Sequence, residues 1–320
     1  MKRNTRLWLC IPVLIVSMLT IFYMLIPQYA TNRDIGVIVS DASNPFFQRV
    51  LDSIKNTAKA NAYNVKIIES YNDPDNELKS METLVNKKYQ IVLINPIDAT
   101  LTKRAVAYAQ NHNVKVITMD SKVNDLKVYA HIASNNLSGG KKAADYIIKA
   151  LHNKGDIAII RGVITTSSSQ ERYQGFVDRI KQSNIKIISV DNGNFTKLGG
   201  YHATKRIMKE YPNVKAIFYE NDTMASGGLM AVNDNHNVVI VGFDGINEVL
   251  KLINQNRIDA TVEQNPYAIG EFSTRYAIDY LSNDKKIKNN SVLVPVALVT
   301  KKEIDSPNYK SCYRQTFFNI

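Results

Sequence analysis

The chain has 320 residues, of which 45% are hydrophobic and 22% are charged, so its composition is that of an ordinary globular protein with room for two modest cores. Its formal net charge is +11, but the Lys and Arg residues are scattered along predicted helices rather than massed in blocks. A nucleic-acid-binding protein would carry a basic cluster on a recognisable reading element, and the sequence shows none. We therefore predict a solvated basic surface and no nucleic-acid partner.

The first 30 residues predict a membrane anchor. Three basic residues precede the uncharged stretch Leu7–Ile26, whose 20 residues are enough to cross a bilayer as a helix. Because a basic flank stays in the cytoplasm, we expect everything after Thr31 to lie outside it, in a single-pass protein of the cell membrane. A cleaved signal peptide ending at Ala30 is the alternative, although the apolar region of a signal peptide is usually shorter.

The two cysteines predict no disulfide framework. Cys10 lies in the apolar N-terminal stretch and Cys312 lies in the C-terminal tail, and no CxxC motif occurs. No cysteine stands at the exit of the apolar stretch, so the sequence does not indicate a lipoprotein anchor.

From Ile35 onward, short β-branched runs alternate with longer amphipathic stretches. Strands are predicted at Ile35–Ser40, Val65–Ser70, Ile91–Asn95, Val114–Thr118, Asp156–Arg161, Lys186–Val190, Ala216–Glu220, Val238–Phe243 and Ala260–Glu263. Helices are predicted at Phe46–Ala62, Glu77–Lys87, Thr100–Asn111, Asn136–Leu151, Gln170–Ser183, Thr196–Glu210 and Asn247–Asn256. This alternation predicts an α/β fold with parallel sheets that are covered by helices on both faces. The pattern pauses near His131–Gly140, which favours two similar doubly wound lobes over one very wide sheet.

Polar and aromatic side chains stand at the carboxyl ends of the predicted strands. The stretch SDASNPFF, directly after the first strand, places two adjacent phenylalanines behind an Asn-Pro turn. Ligands of open α/β sheets bind beyond these strand ends. Carboxylates and amides bind neighbouring hydroxyls, an Arg donates to sugar oxygens, and aromatic faces cover the C–H face of a sugar ring. The residues at these ends are Asn44, Phe46, Phe47, Asp120, Arg172, Phe195, Asn221, Asp222, Asp244 and Gln264.

Eight motifs, in this order along the chain, carry a family resemblance: SDASNPFF, LINPID, VITMDS, HIASNNLSGG, QERYQGF, YENDTMASG, VVGFDG and ATVEQNP. Together they resemble the ribose-binding branch of the bacterial periplasmic sugar-binding proteins, the type I solute-binding proteins, from Ile35 to about Thr300. The resemblance implies two lobes joined by three crossings, with residues 33–134 plus 265–296 in the first lobe and 135–264 plus 297–320 in the second. It also implies contacts with one monosaccharide from Asn44, Phe46, Phe47, Asp120, Arg172, Phe195, Asn221, Asp244 and Gln264.

One position departs from the pattern that the resemblance implies. Ribose-binding members place an Arg directly after the Asp of the ITxD motif, whereas Ser121 follows Asp120 here. A planar cationic fork is exchanged for a small hydroxyl, which we count as a candidate sugar contact. We therefore predict an aldopentose, either ribose or another such as xylose, with a related small sugar as the alternative and Lys122 or Asp41 as candidate replacement contacts.

Some of these residues have a purely structural alternative. Phe46 and Phe47 could start a helix and pack on the sheet, since Phe is mostly a core residue. Asp244 in GFDG could be a turn residue. Asn221 and Asp222 could cap a helix, and we expect Asp222 to be structural and Asn221 to contact the ligand.

The sequence predicts neither an enzyme nor a cofactor or metal site. No GxGxxG, GxxxxGK[ST], HExxH or GxSxG motif occurs. Asp120 and Asp244 could in principle form the acid/base pair of a glycosidase. We expect instead that Arg172 and the neighbouring amides keep both carboxyl groups ionised.

The functional prediction is a membrane-anchored extracytoplasmic monosaccharide-binding protein. Binding would close the two lobes, as periplasmic binding proteins do in the general account of hinge closure. The resemblance allows two membrane partners that would recognise the closed form, a sensor histidine kinase and an ABC permease. We favour the kinase, because transport binders of cells without an outer membrane usually carry a lipid-anchoring cysteine. A regulator of the lactose-repressor type is a distant alternative, because an apolar span stands where its helix-turn-helix would be.

Overall fold

The structure is a computed structural model that describes residues 33–232, 238–282 and 290–309. The predicted anchor at 1–30 and both cysteines lie outside the described residues. Among the helices in the described part of the chain, none is long and apolar enough to span a bilayer.

The described residues form strands and helices in close alternation. The strands are β1 (Asp34–Val39), β2 (Asn64–Glu69), β3 (Ile91–Ile94), β4 (Lys115–Met119), β5 (Ala130–Ser134), β6 (Gly155–Arg161), β7 (Ile185–Asn192), β8 (Ala216–Tyr219), β9 (Val239–Asp244), β10 (Ala260–Glu263), β11 (Ser291–Val294) and β12 (Ala297–Thr300). The helices are α1 (Pro45–Ala60), α2 (Pro74–Asn86), α3 (Lys103–Asn111), α4 (Asn136–Ala150), α5 (Ser167–Ile180), α6 (Lys197–Glu210), α7 (Asp222–Leu229), α8 (Asn247–Asn254), α9 (Pro266–Leu281) and α10 (Lys301–Ile304).

The strands assemble into two six-stranded sheets, in the orders β11-β5-β4-β3-β1-β2 and β12-β10-β9-β8-β6-β7. All neighbouring strands pair in parallel except β12, which pairs antiparallel with β10. We call the first sheet with α1–α3 and α9 lobe 1, and the second sheet with α4–α8 and α10 lobe 2. The prediction of two doubly wound parallel-sheet lobes is confirmed.

Helices cover both faces of each sheet, which is why the strands are apolar on both sides. Val37 of β1 packs in one core cluster with residues of α1 and α9, while its neighbour Ile38 packs in another with residues of α2 and α3. In lobe 2, Ile159 faces α4 and α5, and Ile160 faces α6, α7 and α8. Each lobe therefore has two core layers with its sheet between them.

The chain passes between the lobes three times: between β5 and α4, between β10 and α9, and between β11 and β12. Two of the passages are joined directly, because the Asn135 backbone N–H donates to the Val294 carbonyl at 2.9 Å. The sequence pattern did not predict β5, β11 or β12. β5 lies inside the apparent pause, and β11 and β12 are four-residue edge strands in each of which only one residue is buried.

Three helices that start at strand ends use the same local signal, an Asx-Pro pair. In α1 the Asn44 side chain accepts a hydrogen bond from the Phe46 N–H at 2.9 Å, and Pro45 takes the first helical position. The pairs Asp73-Pro74 and Asn265-Pro266 start α2 and α9 in the same way. This signal explains why Asn-Pro stands at the end of the first strand.

Helices α4 and α5 approach so closely that two glycines are required. A Cβ atom on Gly140 would lie 2.1 Å from the Arg172 carbonyl oxygen, and one on Gly175 would lie 2.1 Å from the Leu137 carbonyl oxygen. These neighbours are backbone atoms, which cannot give way without moving a helix. The contact therefore fixes the position of α5, which carries Arg172.

We predict that Gly140→Ala destabilises the protein by about 1–3 kcal/mol, because the steric cost exceeds the ~1 kcal/mol that Ala gains in helix propensity. Urea unfolding followed by circular dichroism measures the change. The exposed neighbour Lys141→Ala is the control and should stay within ~0.5 kcal/mol of the parent. Equal stability of the two variants would contradict the packing argument.

Candidate functional site

A cavity lies between the carboxyl ends of the strands of the two lobes, with about 60 Å³ open to the centres of water molecules. The nine residues for which the resemblance implies sugar contacts all line it, and so does Ser121, whereas Asp222 does not. The lining residues are Ser40, Asn44, Phe46, Phe47, Asn72, Asn95, Pro96, Ile97, Asp120, Ser121, Val163, Thr166, Ser168, Arg172, Phe195, Asn221, Asp244 and Gln264.

Eight of these lining residues were not predicted. They are Ser40, Asn72, Asn95, Pro96, Ile97, Val163, Thr166 and Ser168. Each follows a strand end, so the rule that found the others also applies to them. Asn95 offered a further signal, since it begins a second Asn-Pro pair in the quoted motif LINPID.

The aromatic residues that line the cavity also pack against the hydrophobic cores of the lobes. Phe46 is 3% exposed and belongs to the core of lobe 1, so the core alternative is correct for part of its surface. Phe47 packs edge-on against it, with ring centroids 5.2 Å apart. Phe195 belongs to lobe 2 and lines the same cavity. The cavity thus has an apolar ring contributed by each lobe.

Arg172 is the buried cation of the cavity wall, and only 3% of its surface is exposed. Its Nε donates to Asn136 Oδ1 at 2.9 Å and its Nη1 donates to the Glu220 carbonyl at 2.6 Å. The guanidinium also lies over the Phe243 ring, 3.9 Å from the centroid. These contacts hold the planar group in one orientation.

Two carboxyl groups approach Arg172, one from each lobe. Asp120 Oδ1 lies 4.0 Å from Nη2 and Asp244 Oδ1 lies 3.7 Å from Nη1. Burial raises the pKa of both Asp120 and Asp244, and the charge of Arg172 opposes this rise. The expectation that the cation and amides would prevent a rise in either pKa is therefore wrong, because desolvation by burial is the larger effect.

Two buried acceptor atoms in the cavity wall have no hydrogen-bond partner among the described residues. They are Asp120 Oδ1 and Gln264 Oε1. The Gln264 side chain is oriented by its other end, where Nε2 donates to Asp244 Oδ1 at 2.6 Å. A buried acceptor that is left unsatisfied costs about 1–3 kcal/mol. The wall therefore favours a ligand that donates hydrogen bonds to both atoms.

Asp222 has the structural role that the sequence predicts for it. Asp222 is fully buried and accepts hydrogen bonds from the N–H groups of Gly245 and Ile246 and from the Thr261 hydroxyl. It thereby orders the turn that follows Asp244. Asn221 caps α7 through the Met224 N–H and also lines the cavity.

Several cavity residues have left-handed backbone conformations that non-glycine residues rarely adopt. The φ angle is 63° at Asp120, 59° at Phe195 and 54° at Asn72, and it is 128° at Asp244. Such conformations cost about 1–3 kcal/mol each and collect at functional sites. Their concentration here is a second sign, independent of chemistry, that this is the functional site.

The comparisons with known proteins agree with this geometry. Residues 35–286 match the family model described as "Periplasmic binding protein domain". The chain belongs to the periplasmic binding protein family. The "Ribose import binding protein" of Escherichia coli (strain K12) is 32% identical over 253 residues, covering 78% of this chain and 86% of that protein. Its counterpart in Bacillus subtilis (strain 168) is 32% identical over 269 residues, covering 84% and 87%.

Solved structures of periplasmic binding proteins share the fold. The Caulobacter myo-inositol binding protein, bound to myo-inositol, superposes with a TM-score of 0.81 at 25% identity, over 88% of this chain and 97% of that one. The resemblance to the ribose-binding branch is thus confirmed. The prediction of a binding protein rather than an enzyme is confirmed as well, because the relatives are binding proteins.

The two proposed replacements for the missing Arg after Asp120 do not line the cavity. Asp41 instead accepts hydrogen bonds from Ser43. The Lys122 ammonium donates to Glu171 Oε1 at 2.6 Å. Ser121 itself lines the cavity, with its hydroxyl 2.9 Å from that of Ser168 in lobe 2. The prediction that Lys122 or Asp41 takes over the role of the lost Arg is therefore wrong.

Behind the cavity, Glu77 of α2 supports the loop after β3. It is 1% exposed, its Oε1 accepts a hydrogen bond from the N–H of the cavity residue Ile97 at 3.3 Å, and its Oε2 has no partner among the described residues. Burial raises the pKa of Glu77 to about 7, with a smaller contribution from Asp98, while the nearby Thr102 hydroxyl and the hydrogen bond from the Ile97 N–H lower it.

The raised pKa of Glu77 predicts a pH-dependent stability. Since the folded pKa exceeds the ordinary value of 4.5, this group favours the folded state below pH 4.5 and loses that contribution as the pH rises through about 7. We expect Glu77→Gln to be more stable than the parent at pH 8, by up to about 3 kcal/mol, and equal to it at pH 4.5. Urea titrations between these pH values measure the difference. Glu82→Gln, on the same helix, is the control; a parallel pH profile for the parent and Glu77→Gln would contradict the assignment.

Proposed function

We propose that the chain is a membrane-anchored extracytoplasmic protein that closes its two lobes on one monosaccharide, an aldopentose such as ribose or xylose. The observation that carries this proposal is the pair of unsatisfied buried acceptors, Asp120 Oδ1 and Gln264 Oε1, in a cavity with apolar ring faces. Sugar hydroxyls are the donors that such acceptors match, and ring faces match sugar C–H groups. Arg172 then donates to the sugar oxygens.

The cavity size supports a small sugar. About 60 Å³ corresponds to roughly four to six water positions at ~10–15 Å³ each. A pentose carries a comparable number of oxygen atoms, and its hydroxyls can replace those waters. The relatives named for ribose point to a pentose, whereas a D-allose-binding protein and a myo-inositol-binding protein are named for six-carbon ligands. All of these ligands are neutral polyhydroxylated rings.

The proposal also includes the membrane partner that recognises the sugar-bound protein. We infer a membrane sensor histidine kinase, because the uncharged stretch Leu7–Ile26 offers a permanent anchor beside a membrane partner and no cysteine stands directly at its exit for lipid attachment. The relatives named as import proteins favour the second candidate, the binding component of a sugar ABC transporter. Cross-linking in native membranes distinguishes the two: a permease with its ATPase among the products, and no kinase, would overturn the sensor proposal.

The sugar is tested by calorimetric titration of the full chain, purified in detergent, with ribose, xylose, arabinose, galactose and glucose. We expect one-to-one binding of a pentose that exceeds binding of both hexoses by at least tenfold. The physical reason is the cavity volume, which leaves little space for the additional hydroxymethyl group. Absence of binding for all five sugars, or a preference for glucose, would refute the proposal.

The site is tested by substitution of its charged centre. We expect Arg172→Met and Asp244→Asn each to weaken binding of that sugar at least tenfold, because hydrogen bonds to charged groups contribute about 1.5–3 kcal/mol. Arg206→Met is the control for Arg172→Met, since Arg206 is an exposed Arg of lobe 2 that pairs with Asp191 at 2.8 Å. Affinity unchanged in both site variants would show that the sugar binds elsewhere.

A further inference from the structure

Two loops of lobe 1 make direct contacts with the start of α5 in lobe 2, at one edge of the cavity. The Ala99 N–H donates to the Thr165 carbonyl at 3.0 Å. The Lys122 N–H donates to Ser167 Oγ at 2.8 Å. Both contacts join a loop after a strand of the first sheet to the segment that begins α5, so they cross from one lobe to the other.

Side chains extend the same connection. The hydroxyls of Ser121 and Ser168 lie 2.9 Å apart, and both residues are buried. The Lys122 ammonium pairs with Glu171 at 2.6 Å, with the two side chains 50% and 29% exposed. We call these four contacts of residues 99, 121 and 122 with residues 165–171 the cleft-edge contacts. They combine a buried hydroxyl pair inside with a partly exposed ion pair outside.

The cleft-edge contacts lie next to the charged centre on both sides. In lobe 1, Ser121 and Lys122 directly follow Asp120. In lobe 2, Glu171 directly precedes Arg172 in α5. The distance of 4.0 Å between Asp120 and Arg172 is therefore set by the alignment of the loop with the first turns of α5.

We propose that Ser121 and Lys122 are positioning residues, which hold the start of α5 against lobe 1 and so align Arg172 with Asp120 for sugar binding. This inference rests on the proposed function of the cavity. Ser121, the first of these two residues, carries only a small hydroxyl group. The small hydroxyl engages Ser168 of the other lobe and leaves the next residue, Lys122, to reach Glu171. Residues 121 and 122 thus form one connection between the lobes.

The ion pair offers the cleanest test, because neither Lys122 nor Glu171 lines the cavity. We expect Lys122→Met and Glu171→Gln each to weaken sugar affinity two- to fivefold, the range for a partly exposed pair. The loss should appear as faster dissociation, since the contacts form only when the lobes meet. The double variant should be no weaker than either single one, and the exchanged pair Lys122→Glu with Glu171→Lys should recover most of the affinity.

The matched control is an ion pair that stays within lobe 1. Lys103 pairs with Asp125 at 2.7 Å, with side chains 31% and 84% exposed. Lys103→Met should leave the dissociation rate unchanged. The melting temperatures of all variants are measured beside the kinetics. We expect them to equal that of the parent, whereas a lower melting temperature would indicate a general loss of stability.

A second measurement needs no sugar. Spin labels on Tyr71→Cys and Leu198→Cys, in the full chain with Cys10→Ser and Cys312→Ser, report the distance between exposed points of the two lobes. We expect Lys122→Met and Ser167→Ala to lengthen or broaden this distance distribution and Lys103→Met to preserve it. If the chain binds none of the five sugars but the distances change in this way, the proposed function fails and the positioning contacts stand. If both dissociation rate and distances match the parent in Lys122→Met and Ser167→Ala, the positioning role is overturned.

Discussion

The buried guanidinium of Arg172 is the interaction on which the cavity depends. Removing a cation from water is costly unless charged and polar partners surround it, and here the partners come from both lobes. Asp120 belongs to lobe 1, while Asp244 and the Glu220 carbonyl belong to lobe 2. The same cation therefore organises the ligand wall and links the two halves of the molecule electrostatically.

The position of Arg172 depends in turn on packing that involves no ligand group. Gly140 and Gly175 let α4 and α5 approach until backbone meets backbone, and the Phe243 ring supports the guanidinium from below. A binding protein needs this rigidity, because freedom lost on binding must otherwise be offset by new contacts. The fold thus determines the geometry of recognition before any sugar arrives.

Much of the architecture and site could be predicted from the sequence. The β-branched runs and amphipathic stretches follow the parallel-sheet pattern, and the rule that ligands bind beyond strand ends located nine lining residues, to which the family motif added Ser121. The edge strand β12 could not be predicted, because it has only four residues, of which one is buried, and it pairs antiparallel against the general pattern. The direction of the pKa shifts at Asp120 and Asp244 could not be predicted from the sequence either, because it depends on how deeply the two carboxyl groups are buried. The partner of Lys122 was missed for the same reason, because Glu171 comes from the other lobe.

The left-handed turns of the cavity have a consequence for how a ligand is oriented. Tyr71 and Asn72 adopt this conformation in succession after β2, the second strand of lobe 1, and Asn194 and Phe195 do so after β7, the second strand of lobe 2. Each pair leads into a helix cap, Asp73 in one lobe and Thr196 in the other. The two lobes thus share the same backbone turn but place different side chains in the cavity, the amide of Asn72 in lobe 1 and the ring of Phe195 in lobe 2. The backbone of the cavity is thus similar in the two lobes while its side chains differ. A ligand in the cavity therefore meets different chemical groups at its two ends and has one preferred orientation.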